Sequence, residues 1–212
     1  MTTITHKLFQ SRNVILDMIK SRGFQTNPYK NYSRNEIDIM FRNMPTKANS
    51  EESPLDIEVK NSKSNKLIVK YVINLKLRTA FLITLVDDII TTLNEDDTLI
   101  IIVKDKINNI EPLENILESY YDKYNIFVQI FWIDKLQINI TQHSLVPKHE
   151  IINDIEKNKI LKEWNLTSFN QLPVILSKDP VAKYIGMKKG NICKITRSSE
   201  TAGIYHSYRY CQ

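Results

Sequence analysis

The run Asp179-Pro-Val-Ala-Lys-Tyr-Ile-Gly-Met-Lys-Lys-Gly190 lies near the end of this 212-residue chain and predicts one short helix together with both of its ends. Asp179 can accept hydrogen bonds from the free N–H groups at a helix start, and Pro180 suits the first helical position because its missing N–H has no partner there. Gly186 can adopt the left-handed conformation that ends such a helix, and Gly190 predicts the turn that follows.

Two alternating segments come after this helix. Residues 191–196 and 204–210 alternate apolar and polar side chains, which predicts two β-strands, and Gly203 predicts a turn before the second strand. Upstream, residues 153–164 have the pattern of another helix. The last third of the chain is therefore predicted to be a small α+β module.

Several ordered blocks lie in this module. They are Leu145-Val-Pro-Lys-His149, Gln171-Leu-Pro173, Asp179-Pro-Val-Ala182, Gly186, Lys189-Gly190, Arg197, Ser199-Glu-Thr201, Gly203 and Tyr208-Arg209. At this spacing the blocks resemble the C-terminal assembly domain of the fifth subunit of eukaryotic nuclear RNA polymerases, a family that also has an archaeal form. A series of blocks over about seventy residues is far more specific than one short motif.

The resemblance implies a non-catalytic subunit of a multisubunit DNA-dependent RNA polymerase. In that family the C-terminal domain docks on the largest subunit, beside neighbouring subunits, and an N-terminal jaw domain lies near downstream DNA. The archaeal form has only the second domain, so the long N-terminal region here is similar to the eukaryotic and large-DNA-virus arrangement. The resemblance implies no cofactor, no metal and no small-molecule substrate. For a cellular protein the resemblance implies a location in the nucleus. For a protein of a large DNA virus it implies a location in the virion and in the host cytoplasm or viral factory.

The docking surface is expected to combine polar, charged and aromatic residues of the C-terminal module, because aromatic residues and arginine are enriched at protein–protein interfaces. The expected members are Asp179, Pro180, Lys189, Arg197, Glu200, Thr201, Tyr208 and Arg209. Asp179 is expected to act mainly as a helix cap, and Pro180, Gly186, Gly190 and Gly203 are expected to shape the backbone.

The first two thirds of the chain predict a layered α/β domain. The predicted helices are residues 3–22, the segment after Tyr32 that carries the capping-box pair Ser33 and Glu36, residues 79–93 and residues 112–124; the predicted strands are residues 55–60, 67–75, 98–103 and 126–133. The family's jaw domain has an endonuclease-like sheet with helices, which agrees with this order. We expect a jaw domain at 1–139 and an assembly domain at 140–212.

The composition of the chain is that of a folded domain without a membrane span or a secretion signal. Hydrophobic residues make up 42% and charged residues 25% of the chain, which is ordinary for a folded domain. No apolar run has the length of a membrane span, and the amino terminus has no signal-peptide pattern. The two cysteines, Cys193 and Cys211, fall on predicted strands and are expected to be reduced; a disulfide between the strands is the alternative.

One constellation favours a different class, a metal-dependent nuclease. Asp56, Glu58 and Lys60 alternate along a predicted strand, so their side chains share one face, and Asp38 lies upstream. Carboxylates of this kind can hold Mg²⁺ and activate water, with Asp38, Glu58 and Lys60 as the candidate residues. Alternating charge on an edge strand explains the same pattern without chemistry, because it discourages aggregation.

A third class is a free-standing basic nucleic-acid-binding protein. Residues 141–212 carry 11 Lys or Arg against 6 Asp or Glu, whereas residues 1–140 carry 18 of each. Such a basic excess can attract nucleic acid, and the Tyr205, Tyr208, Tyr210 and Arg209 run could stack on bases. However, Tyr208 and Tyr210 are two apart and share one strand face, which favours packing against the sheet or a protein partner. The basic charge equally suits an acidic partner.

Overall fold

The computed structural model describes residues 3–45, 53–74, 79–105, 111–199 and 203–212. The chain divides into two compact units, Met1–Ile138 and Asn139–Gln212. Residues 46–54 are polar and turn-rich, which predicts a loop, and they lie almost entirely outside the described residues. Within them, no helix combines the length and apolar character that a bilayer crossing requires.

The first two helices of the N-terminal unit begin and end where their local sequence predicts. Helix α1 spans Ile4–Ser21 and is followed by Gly23, whose φ is +87°. Helix α2 spans Arg34–Arg42 and begins with the predicted capping box, in which the Glu36 N–H donates to Ser33 Oγ and the Ser33 N–H donates to Glu36 Oε2 at 2.6 Å. The hydrogen bond from the Ser33 backbone N–H, and then one from the Ser33 side chain, lower the pKa of the Glu36 carboxyl. Both predicted helices are confirmed.

A four-stranded sheet forms the centre of the N-terminal unit. Its strands are β1 (Ile57–Lys60), β2 (Lys66–Val72), β3 (Thr98–Val103) and β4 (Phe127–Trp132), in the order β1-β2-β3-β4. β1 is antiparallel to β2, whereas β2, β3 and β4 are parallel to one another. Helices α3 (Thr79–Ile90) and α4 (Glu111–Tyr124) connect the parallel strands. All four strands and both helices were predicted, which confirms the mixed α/β class for this unit.

Helices cover both faces of this sheet. One face consists of the row Ile68, Leu99 and Val128 and its neighbours, which pack against the apolar side chains of α3 and α4. On the other face, Gln129 accepts a hydrogen bond from Arg22 just after α1, at 2.8 Å. Because both sides are covered, all six residues of β3 are buried. This confirms the prediction of a strand buried on both faces.

A second four-stranded sheet forms the C-terminal unit. Its strands are β5 (Lys148–Ile151), β6 (Val174–Ile175), β7 (Ile192–Ser199) and β8 (Gly203–Cys211), in the order β5-β7-β8-β6. Helix α5 spans Asp154–Glu163 and helix α6 spans Pro180–Ile185. The predicted helices and the β7–β8 pair are confirmed, whereas the short β6 was not predicted. This unit is α+β, as expected.

Buried Asp97 directly precedes β3 and forms hydrogen bonds to the first residues of β2 and β4. Its Oδ1 accepts from the Lys66 N–H at 2.6 Å and its Oδ2 from the Asn94 N–H at 2.8 Å, and its backbone carbonyl accepts from the Phe127 N–H at 3.0 Å. The residue is only 2% exposed. Asp97 therefore fixes where β2, β3 and β4 begin relative to one another.

We predict that Asp97→Ala destabilises the N-terminal unit by about 3 kcal/mol, because two partly buried N–H groups lose a charged acceptor. Asp97→Asn is the matched control and should cost about half as much, since its amide oxygen still accepts one hydrogen bond. Urea unfolding of the full chain measures this through Trp132 fluorescence in a Trp164→Phe background. An unchanged urea midpoint for Asp97→Ala would contradict the structural role.

Candidate assembly surface of the C-terminal unit

Helix α6 has the two ends that the sequence predicts. Asp179 Oδ1 accepts hydrogen bonds from the N–H groups of Val181 at 2.8 Å and Ala182 at 3.3 Å, and Pro180 occupies the first helical position. Gly186 ends the helix with φ of +74°, and the N–H of Met187 donates to the Ala182 carbonyl at 2.9 Å. Asp179 is therefore a helix cap, as expected.

Helix α6 covers one face of the second sheet. Ala182 and Met187 belong to the same buried cluster as Cys193, Ile195 and Cys211. Both cysteines are free thiols, so the expectation of reduced cysteines is confirmed and the disulfide alternative is wrong. Burial raises the pKa of the Cys193 thiol to about 11 and also raises the pKa of Cys211, which keeps both sulfurs protonated and unreactive near neutral pH.

The opposite face of this sheet carries the predicted tyrosine pair. Tyr208 and Tyr210 pack against a buried cluster that contains Ile160 of α5 and Ile192 of β7. The ring of Trp164 meets the Tyr208 ring edge-on, with centroids 5.4 Å apart. The two tyrosines share one face and pack the sheet, which confirms that prediction and leaves them poorly placed to stack on nucleic-acid bases.

The far end of the β7–β8 hairpin extends beyond its neighbours in the sheet. β5 pairs only with residues 193–196 of β7, and β6 pairs only with residues 210–211 of β8. We call Arg197–Ser199 and Gly203–Tyr205 the distal hairpin; among the described strands, none flanks it. Arg197 is exposed, and Ile204 and Tyr205 are 67% and 53% exposed.

Exposed apolar side chains are concentrated in the C-terminal unit. Of the 11 large apolar residues that are exposed in the described part of the chain, 8 lie after Asn139. These are Leu145, Ile151, Ile155, Trp164, Val174, Leu176, Ile204 and Tyr205. Apolar groups gain free energy when a partner covers them, so these residues suit a unit that binds another protein.

Comparisons with known proteins agree with this character. A family model described as "RNA polymerase Rpb5, C-terminal domain" matches residues 138–211. A relative from Dictyostelium discoideum, "DNA-directed RNA polymerases I, II, and III subunit rpabc1", is 31% identical over 97% of this chain and 98% of its own length. The chain belongs to the Rpb5 family of RNA polymerase subunits. An Rpb5-family relative from Arabidopsis thaliana, "DNA-directed RNA polymerases IV and V subunit 5B", is 26% identical over 96% of this chain and 89% of its own length.

The expected docking residues of this Rpb5-family chain do not all lie on one surface. Glu200 and Thr201 lie outside the described residues. Tyr208 and Arg209 are consecutive on β8 and therefore point to opposite faces of the sheet. Tyr208 faces Trp164, whereas Arg209 lies opposite Cys193 on the face that α6 covers, with its Nη1 3.5 Å from the Val174 carbonyl.

The remaining expected residues are placed as follows. Asp179 is half-buried at the start of α6, where its carboxylate is used in the cap, and Pro180 is exposed beside it. Lys189 is exposed in the turn before β7, and Arg197 lies in the distal hairpin. Sequence reasoning placed Ile204 and Tyr205 on a strand but did not predict that both side chains are exposed. The missing information was the length of the neighbouring strands, since these end before the hairpin does.

The nuclease candidates in the N-terminal unit are used in local ion pairs. Glu58 pairs with Lys66 at 2.9 Å, and the neighbouring Asp56 pairs with Lys70 at 2.7 Å. Asp38 accepts from Thr5 Oγ1 at 2.7 Å and pairs with Arg42, also at 2.7 Å.

Lys60, the third candidate, is exposed at the end of β1, which is an edge strand. In the part of the chain that the structure describes, no three His, Cys, Asp or Glu side chains are grouped so that they could hold a metal ion. The charges of β1 are thus arranged as cross-strand pairs of an edge strand.

We predict that Asp179→Ala destabilises the C-terminal unit by about 1 kcal/mol, because two N–H groups at the start of α6 lose their acceptor. Asp179→Asn should be nearly neutral, since asparagine is an equally good cap. The measurement is urea unfolding followed by Trp164 fluorescence in a Trp132→Phe background. Equal midpoints for the Ala and Asn variants would show that the cap contributes nothing.

Proposed function

We propose that this chain is a non-catalytic subunit of a multisubunit DNA-dependent RNA polymerase. Its support is the match to polymerase subunits along nearly the full chain, together with an exposed apolar surface on the C-terminal unit. RNA synthesis takes place on the large subunits of such a complex, and this chain brings no cofactor or substrate of its own. It acts where its polymerase acts: in the nucleus of a cell, or in the virion and host cytoplasm or viral factory of a large DNA virus.

In this proposal the C-terminal unit is the assembly domain and docks on the largest polymerase subunit, next to neighbouring subunits. The distal hairpin is the observation that carries the proposal. Ile204 and Tyr205 are adjacent on β8 and so lie on opposite faces, which lets a partner enclose the hairpin from both sides. Arg197 lies directly opposite Tyr205 and adds a cation to the aromatic face. Buried aromatic, aliphatic and arginine anchors are typical centres of protein interfaces.

The basic excess of the C-terminal unit suits the same docking. Residues 141–212 carry five more Lys and Arg than Asp and Glu, so an acidic surface on the largest subunit complements them. The N-terminal unit is the jaw, which helps to flank downstream DNA while the enzyme transcribes. In this proposal the C-terminal unit anchors the subunit and the N-terminal unit extends to the template.

We predict that a tagged chain recovers the largest polymerase subunit from cells that contain its polymerase, and that the double variant Ile204→Asp with Tyr205→Asp reduces this recovery at least tenfold. The physical reason is that two carboxylates placed inside an apolar interface lose their water without gaining a partner. The measurement is affinity capture with quantitative mass spectrometry.

The matched control for this capture is Ile39→Asp, which makes the same change at a 58% exposed residue of the N-terminal unit and should leave recovery unchanged. A fragment of residues 139–212 should also be sufficient for capture. Retention by residues 1–138 alone, or full retention by the double variant, would contradict the assignment of the C-terminal unit as the anchor.

A further inference from the structure

The outer edge of strand β8, the side that faces away from β7, is open over most of its length. On that side the Tyr210 N–H donates to the carbonyl of Pro173, just before β6, at 2.9 Å. Strand β6 itself pairs only with Tyr210 and Cys211. No other described strand pairs with the outer edge, so Gly203–Arg209 has no neighbouring strand on that side.

The direction of the backbone groups shows which of them are unpaired. The N–H and C=O groups of successive residues in an antiparallel ladder point to alternate sides of the strand. Because the Tyr210 N–H points away from β7, the N–H and C=O groups of Ile204, His206 and Tyr208 point to the same outer side. Within the described part of the chain, none of these groups forms a hydrogen bond.

The open segment lacks the usual protection of an edge strand. Edge strands are commonly blocked by charged side chains, by proline or by a covering element. The sequence Ile204-Tyr-His-Ser-Tyr208 contains no Asp, Glu, Lys, Arg or Pro. It is instead rich in the aromatic and β-branched residues that strands favour, and Ile204, Tyr205 and His206 are all exposed. The segment is therefore suited to pairing with a further strand.

The edge strand β1 of the first sheet shows the opposite treatment. There the Tyr29 hydroxyl accepts a hydrogen bond from the Glu58 N–H at 3.1 Å and donates one to the Glu58 carbonyl at 3.0 Å. Glu58 and Lys60 also place charged side chains along this strand. The chain thus blocks the backbone of one edge strand with a side chain and leaves the backbone of β8 open.

The open segment of β8 is complementary to a second copy of itself. In an antiparallel pair centred on His206, Ile204 lies opposite the second copy's Tyr208, and the two His206 residues lie opposite each other. This register pairs all of the outward N–H and C=O groups on both strands. It also puts an aliphatic side chain beside an aromatic one on each side of the centre, which is a favourable cross-strand pair, and opposes no Lys, Arg, Asp or Glu.

We propose that the free chain forms a two-fold symmetric dimer through the outer edge of β8, which joins two C-terminal sheets into one continuous sheet. One strand pair over Ile204–Tyr208 buries less than the about 800 Å² per partner of a stable complex, so the dimer is weak and dissociates readily. The dimer is a property of the free chain and does not rest on the proposed function. Because Ile204 also belongs to the distal hairpin, a chain paired in this way cannot at the same time dock through that hairpin.

Analytical ultracentrifugation of the purified full chain measures this association. The weight-average mass should rise from 24.8 kDa at about 1 µM toward twice that value at about 500 µM. His206→Pro should raise the dissociation constant at least tenfold, because proline removes the outward N–H at the centre of the pair without removing a hydrogen bond to β7. His206→Ala is the matched control, since it keeps that N–H, and its dissociation constant should stay within about twofold of the unmodified chain.

A disulfide test gives a second measurement that does not depend on a proline. His206→Cys should form a disulfide-linked dimer on mild oxidation, because directly opposed residues of two antiparallel strands lie within disulfide reach. Cys193 and Cys211 are 0% and 1% exposed, so they do not compete. Lys60→Cys is the matched control, because it is exposed on the edge strand β1, and it should stay monomeric.

Three results would each overturn the proposed dimer. They are a mass of 24.8 kDa at every concentration, equal dissociation constants for the Pro and Ala variants, and equal disulfide yields from positions 206 and 60. Fluorescence of Trp164, whose ring contacts Tyr208 of β8, checks that the proline variant is folded. If that variant does not fold, the comparison of the two cysteine variants decides the outcome.

Discussion

The N-terminal unit depends on one constraint, which is that strand β3 is apolar throughout and must be covered on both faces. Parallel pairing with β2 and β4 satisfies its backbone, and the crossover helices α3 and α4 cover one face. The second face must then be closed by an element from elsewhere in the chain, and α1 supplies it through contacts such as Arg22 to Gln129.

In the C-terminal unit, the two faces of the sheet are covered only in part. Helix α6 covers one face of its sheet and α5 with Trp164 covers the other, but the β7–β8 hairpin is longer than the strands beside it. The uncovered part carries Ile204 and Tyr205, whose exposure costs free energy in water. An isolated domain gains nothing from this arrangement, whereas a subunit that docks on a larger partner does. The incomplete coverage and the membership of the Rpb5 family thus point to the same function.

Local sequence signals predicted the local features of the fold, namely the Ser33–Glu36 capping box and the Asp179 and Gly186 ends of α6. They could not predict features that depend on strand register. Asp56 and Glu58 form ion pairs with Lys70 and Lys66, which lie on the next strand. The sequence did not single out Asp97, because its Oδ1 accepts from the N–H of Lys66, which is 31 residues away along the chain. Strand β6 was missed because it has only two residues and follows Pro173. By contrast, strand alternation alone puts the consecutive Tyr208 and Arg209 on opposite faces.

Hydrogen–deuterium exchange of the chain, free and assembled in its polymerase, tests the central claim most directly. If the distal hairpin is the anchor, the backbone N–H groups of Arg197–Ser199 and Gly203–Tyr205 exchange at least tenfold more slowly in the assembled enzyme, because a partner covers both of their faces. The N–H groups of β3, already buried in the free chain, serve as the internal control and do not change. Unchanged exchange in the distal hairpin, with new protection confined to the N-terminal unit, would contradict the account.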